Sequence, residues 1–139
     1  MTPFILDTDH LSLLERGHKQ VTARFNQLSS GQIAITIVTV QEQFRGRFAR
    51  INAARNEAEL LRAFHWLHET VNTIADFQII DYDFAASRIY TNLRQQKIRI
   101  GTQDLRIAAI ALASNAILVT RNQIDFGQIP ALTIEDWTK

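Results

Sequence analysis

The chain contains no cysteine, which excludes disulfide staples, thiolate metal sites and cysteine nucleophiles and makes a cytoplasmic location the simpler expectation. Proline (2 residues) and glycine (5 residues) are scarce, and no repeat, linker or low-complexity segment interrupts the chain. Long apolar runs are missing too. The stretch from Pro3 to Leu6 is stopped by Asp7 and Asp9 and has no basic lead-in, too short for a signal peptide or a membrane span. Charge of one sign is not in excess either: a net charge of +1 does not by itself suggest nucleic-acid binding. What remains is 139 residues, 46% hydrophobic and 21% charged, the length and composition of one ordinary globular domain spanning residues 1–139.

Strands and helices alternate along it. PFILDT is continuously apolar up to its acids, which suits a strand covered on both faces of a parallel sheet. Thr8 or Asp9 can cap a following helix that carries Leu11, Leu13 and Leu14 and ends at Gly17; a second helix runs from about 19 to 28 and stops at SSG. IAITI is the next strand, and Thr36 or Thr39 can start a helix bearing Glu42, Phe44, Phe48 and Ile51. A long helix over 57–75 sets Leu60, Leu61, Phe64, Leu67, Val71 and Ile74 on one face. FQIID is a third strand, Asp83 opens another helix, and after KIRIG, Thr102 can cap a helix holding Asp104, Ile107 and Ile110. AILVT is the strongest strand and LTIED the last. This alternation predicts a three-layer α/β domain with a mostly parallel central sheet flanked by helices.

In such sheets ligands bind at the carboxyl ends of the strands, and the acids fall there. Asp7 ends the first strand, Glu42 lies in the first turn or so after the second, Asp104 lies in the first turn of its helix, and Asn122 with Asp125 follows AILVT. Two unit charges 4 Å apart repel by about 4 kcal/mol at an effective dielectric near 20. Hard divalent cations relieve that repulsion, because Mg²⁺ and Mn²⁺ choose carboxylate and water oxygens and keep positions open for a phosphate. The chemistry this points to is phosphodiester hydrolysis. Basic residues flank the acids: Arg45, Arg47, Arg50 and Arg55 follow Glu42, and Arg88, Arg94, Lys97 and Arg99 precede Asp104, with no acid inside either stretch.

LDTDHLSLL, the Glu after ITIVTVQ, the segment GTQDLRIAAIALASNAILVTRNQIDF and the closing IEDW, taken in order, resemble the signature of VapC-type PIN domains over nearly the whole chain. The resemblance implies a ribonuclease with three to four acids around one or two Mg²⁺ or Mn²⁺ ions, often a homodimer, restrained by a VapB antitoxin whose tail enters the active-site groove. Carried over residue by residue, Asp7, Glu42 and Asp104 match the firm ligand positions. Asp125 is the preferred fourth, with Asn122 as a water or metal contact. Thr8, Arg45, Arg47, Arg99 and Arg121 are candidate contacts to RNA or antitoxin, and the helices from Phe44 to Ala75 are where an antitoxin or a twin subunit is expected to dock.

Plainer readings stand beside these. Asp7 alone could be a helix cap, Asp9 reads as that cap rather than as a ligand, and Thr8 can hold a ligand carboxylate by its hydroxyl. Glu42 could be a solvated surface acid and Asp104 a partner of its helix dipole. His10 is near enough to contact RNA or move a proton, though no spacing rule requires it, whereas His65 and His68 lack a third ligand. Phe44, Phe48 and Tyr90 sit at core spacing. A phosphatase reading of DTD fails because His10 and Leu11 follow it and no lysine follows a strand suitably. A non-enzymatic alternative keeps the PIN fold with a degraded metal site, as an RNA- or partner-binding module.

Overall fold

The structure is a computed structural model in which residues 3–139 are described. β1 (Phe4–Leu6), β2 (Ile33–Thr36), β3 (Gln78–Ile80), β4 (Ile117–Val119) and β5 (Ile134–Glu135) form one sheet in the order β3-β2-β1-β4-β5. Every pairing is parallel, with Phe4 opposite both Ile33 and Ile117. Around it are α1 (Thr8–Glu15), α2 (Lys19–Asn26), α3 (Ile37–Ala53), α4 (Glu57–Ala75), α5 (Phe84–Gln95), α6 (Thr102–Ala113) and α7 (Gln123–Phe126). The three-layer parallel α/β expectation holds. The short α7, and a 3-10 turn at Ser30–Gln32, carry no periodic apolar pattern and were not expected from sequence.

The apolar strands are buried on both faces, and their side chains alternate between two cores. Ile5, Ala34 and Leu118 enter a core closed by α5 and α6, through Ala86, Leu93, Leu105 and Ala108. Phe4, Leu6, Ile33, Ile35 and Val119 enter a second core with Leu11, Val21, Ile74 and Trp137. A one-residue slip of β1 would exchange these sets, so packing pins the register.

Helix ends follow local chemistry. α1 stops where Gly17 adopts φ +75°, and the His18 and Gly17 amides return to the Leu13 and Leu14 carbonyls at 2.9 and 3.0 Å, a Schellman closure. Its N-cap is Asp7, not Thr8 or Asp9: the Asp7 side chain accepts from the His10 amide. Asp83 caps α5 as expected, by accepting from the Ala86 amide at 2.9 Å. For α6 the cap is Gly101, and Thr102 is the first helical residue; its hydroxyl accepts instead from Arg94 at 2.9 Å.

α4 departs from its expected single apolar face. Ala63, Thr70 and Ile74 are buried with Leu60 and Leu67 partly so, while Leu61, Phe64 and Val71 are exposed, as is Phe48 on α3. Only part of the apolar arc of α4 is covered by this chain. Arg47 crosses the inner side: it donates to Thr70 at 2.7 Å and Gln43 at 3.0 Å, and its guanidinium lies 4.0 Å from the Trp66 ring centre.

Replacing Leu118, fully buried in the sheet, by Ala is expected to cost about 2–5 kcal/mol in urea unfolding, whereas Ile124→Ala, at an 86% exposed position, should stay within about 0.5 kcal/mol. Comparable losses in both would contradict the assigned core.

Candidate metal centre

The sheet order reverses direction between β1 and β4, because β2 and β3 extend one side of β1 and β4 and β5 the other. Such a switch point leaves a crevice outside the carboxyl ends of the strands. The Asp7 amide donates to the Val119 carbonyl at 3.0 Å, tying the exit of β1 to the end of β4. Asp7 is buried, and its Oδ1 takes the His10 amide at 2.7 Å and lies 3.3 Å from His10 Nδ1.

Glu42 stands in the second turn of α3, somewhat later than expected, because the helix starts directly at the end of β2, capped by Thr36. Thr8 donates to Glu42 Oε1 at 2.5 Å and also lies 3.2 Å from the Thr39 hydroxyl. The carboxylate is thus aimed by a chain of hydroxyls rather than left as a solvated surface acid. Asp104 is in the first turn of α6. After β4, the Thr120 hydroxyl accepts from the Asn122 amide at 2.9 Å, and Asn122 caps α7.

Asp7, Glu42, Asp104 and Asn122 line one open cavity of about 400 Å³, with Thr8, Asp9, Arg121 and Phe126. Their mutual field is legible in Asp104, whose carboxyl is pushed up to about 6, first by burial and then by the charges of Glu42, Asp7 and Asp125. Carboxylates from four places in the chain therefore act on one another. Arg121 relieves them only in part: its Nε at 2.7 Å and Nη2 at 2.9 Å are engaged with Asp9, while its charge also reaches Asp7. An oxygen-only, under-neutralised cluster of this kind can hold a metal ion.

Asn122 lines the cavity, which Asp125 does not, and it also supports Asp125. Its amide nitrogen donates to Asp125 Oδ2 at 2.9 Å and its oxygen accepts from the Asp125 amide at 3.2 Å, so both ends are turned to Asp125. Among the described residues, the group of three whose ligand atoms lie within 4.8 Å of one another is Asp7, Asp9 and His10. His10, however, is fully buried, with its nitrogens near Asp7 and the Trp137 amide, so it neither reaches solvent nor contacts RNA. Arg47 is corrected likewise: its inward bonds remove it from the expected RNA or antitoxin contacts, while Arg45 and Arg99 are exposed but do not line the acidic cavity. His65 pairs with Glu69 on its own helix and joins no metal cluster among the described residues. The Asp9–Arg121 pair, which spans most of the chain, had no signal in the sequence.

No family model matches the chain. Individual relatives do. It is 30% identical over 138 residues to ribonuclease VapC1 of Haemophilus influenzae, with 98% of each chain covered. It is 28% identical over 142 residues to the tRNA(fMet)-specific endonuclease VapC of Salmonella typhimurium, covering 99% of each. Among solved structures, a chain of the DNA-bound VapBC complex from Salmonella typhimurium superposes with a TM-score of 0.80 at 25% identity, again over 99% of both chains. End-to-end similarity at this level, with the same parallel α/β architecture, shows that the chain belongs to the VapC ribonuclease family, whose fold is of the PIN type.

Proposed function

We propose that residues 1–139 act as one PIN domain, an endoribonuclease that hydrolyses RNA phosphodiester bonds in the cytoplasm at a Mg²⁺ or Mn²⁺ centre held by Asp7, Glu42, Asp104 and Asp125. The observation that supports this is that Asp7, Glu42 and Asp104 line one switch-point crevice, where burial first and then the charges of Glu42, Asp7 and Asp125 push Asp104 up to about 6. The donor set fits a hard cation: it is all oxygen, and among the described residues lining the cavity the basic side chain is Arg121, which is paired with Asp9. When bound, the ion supplies positive charge that polarises a phosphoryl oxygen and offsets the carboxylate repulsion.

The chain's own residues do the rest. Asp7 is held through Oδ1, leaving Oδ2 with no hydrogen bond among the described residues. Thr8 fixes Glu42, and Asn122 fixes Asp125. Asp9 holds Arg121 at the cavity rim by Nε and Nη2, and the guanidinium's remaining nitrogen is available to a phosphate. Relatives named as ribonucleases, one of them specific for a tRNA, support RNA as the substrate.

A VapB-like antitoxin is the partner supported by the VapBC complex that this fold matches. A homodimer is supported by the uncovered apolar stripe of Leu61, Phe64 and Val71. Beside it lies a groove of about 910 Å³ lined by Trp66, Arg50, Arg55 and Arg62. No helix among the described residues is long and apolar enough to cross a membrane.

RNA cleavage by the purified chain is expected to need Mg²⁺ or Mn²⁺, to stop with EDTA, and to fall in Asp7→Asn and Asp104→Asn by more than the ~100-fold that loss of a supporting contact costs. Full activity in either variant would sink the site, and no melting shift with millimolar Mn²⁺, together with no cleavage, would favour the binding-module alternative with its degraded metal site.

The pH dependence has a definite sign. Asp104 binds its proton more tightly in the folded chain than the ordinary value of 3.8 allows, so metal-free stability falls as pH rises from about 4 to about 6 and stays lower above it. Asp104→Asn should therefore raise the metal-free unfolding free energy at pH 7.5 by of order 1–2 kcal/mol, after discounting for solvent screening of a half-exposed group, and leave it nearly unchanged at pH 4, as followed by urea unfolding. In the parent chain Mn²⁺ at 100 times its Kd should add about 2.7 kcal/mol at pH 7.5. Its affinity should weaken below pH 6 as the proton competes.

For assembly, the double change Leu61→Asp, Phe64→Asp removes exposed apolar surface and should leave melting nearly unaltered while reducing the mass seen by light scattering to that of one chain. An unchanged mass would place the contact elsewhere.

A further inference from the structure

Behind Asp7 lies a buried polar relay that the proposed chemistry does not use. His10 is fully buried, on the first turn of α1, and its two ring nitrogens face opposite ends of the chain. Nδ1 lies 3.3 Å from Asp7 Oδ1, and Nε2 accepts from the backbone amide of Trp137 at 3.3 Å. The Asp136 carboxylate, 3.7 Å from Nε2, is beyond hydrogen-bonding reach and is already engaged by the Thr138 amide at 2.9 Å and hydroxyl at 2.6 Å.

A backbone N–H can only donate, so the Trp137 contact requires a bare lone pair on Nε2. The ring proton then resides on Nδ1, where it meets an acceptor-only carboxylate oxygen. Both His10 donors, the ring N–H and the main-chain amide at 2.7 Å, converge on the same oxygen of Asp7. With Oδ1 held from behind, χ1 and χ2 of Asp7 are set, and Oδ2 remains for the cavity. The far end of the relay is rigid too: Trp137 is buried, its ring centre is 5.6 Å from that of Phe4, and Arg24 lies 5.6 Å above it.

We propose that His10 is a positioning residue for the metal centre: an imidazole whose Nε2 accepts from the Trp137 main-chain amide, so that Nδ1–H faces Asp7 and presents Asp7 Oδ2 to the cation. This rests on the reading of Asp7 as a ligand. Groups that hydrogen-bond metal-ligating side chains raise metal affinity by about 10–100-fold.

Two substitutions separate the two ends of the relay. In His10→Asn the amide nitrogen takes the place of Nδ1 and can still donate to Asp7, but nothing reaches Trp137. In His10→Gln the amide reaches the place of Nε2 and can accept from Trp137, but Asp7 loses its donor. Mn²⁺ binding followed by calorimetry is expected to stay within about threefold of the parent in His10→Asn and to weaken about 10–100-fold in His10→Gln. A purely structural histidine would give losses that track melting temperature in both variants, and parental affinity in His10→Gln would likewise overturn the proposal.

Nitrogen NMR of the parent chain, which needs no variant to fold, should show Nδ1 protonated and Nε2 bare; a proton on Nε2 overturns the assignment. Asp7→Asn provides the separating control. If it binds Mn²⁺ as tightly as the parent, the metal-ligand reading of Asp7 fails, whatever the imidazole spectrum shows.

Discussion

Carboxylates drawn out of water onto one crevice repel each other, and the way this fold tolerates that repulsion organises the site. Asp104 shows the strain most directly, with its proton held to about pH 6 by burial and by Glu42, Asp7 and Asp125. Two unit charges 4 Å apart at an effective dielectric near 20 repel by about 4 kcal/mol, and the repulsion falls with distance and solvent screening. A stable chain of this size has only about 5–15 kcal/mol in total, so the cluster persists because rigid elements impose it. Those elements are the ends of β1 and β4, joined through the Asp7 amide and the Val119 carbonyl, and the starts of α3 and α6.

Each acid carries its own restraint, and the restraints differ in kind. Asp7 is the helix cap and the acceptor of two His10 donors, so its plain reading as a cap and its reading as a ligand are two uses of two oxygens. Glu42 leans on Thr8 and, through it, on Thr39; Asp125 is clasped by Asn122. Asp9, the residue that sequence logic nominates as the cap, is instead committed to Arg121. Two of the three guanidinium nitrogens of Arg121 are thereby directed to Asp9 rather than to the other acids of the cavity.

The outer helices obey a different constraint. α3 and α4 present more apolar side chain than this chain's cores can cover, and Phe48, Leu61, Phe64 and Val71 remain in solvent. Arg47 shows why charge counting along a sequence misleads here: one member of a basic run is turned inward onto Thr70, Gln43 and Trp66, where it braces two helices, while its neighbour Arg45 is exposed.

From the sequence alone, the alternation of apolar strands and amphipathic helices determined the fold class. The position of Asp7, Glu42, Asp104 and Asp125 at strand exits and helix starts determined which acids to consider, because these are local properties of period, capping and burial. Gly17 and Asp83 were legible for the same reason. Long-range partners were not: the β3-β2-β1-β4-β5 order, the choice of Asp7 over Asp9 as cap, the inward turn of Arg47, and the burial of His10 between Asp7 and Trp137 depend on contacts between residues far apart in the chain. Such contacts are selected by packing and mutual hydrogen-bond satisfaction, which leave no periodic trace in either segment alone. Only the folded chain therefore decided which candidate acids share one field and what stands behind them.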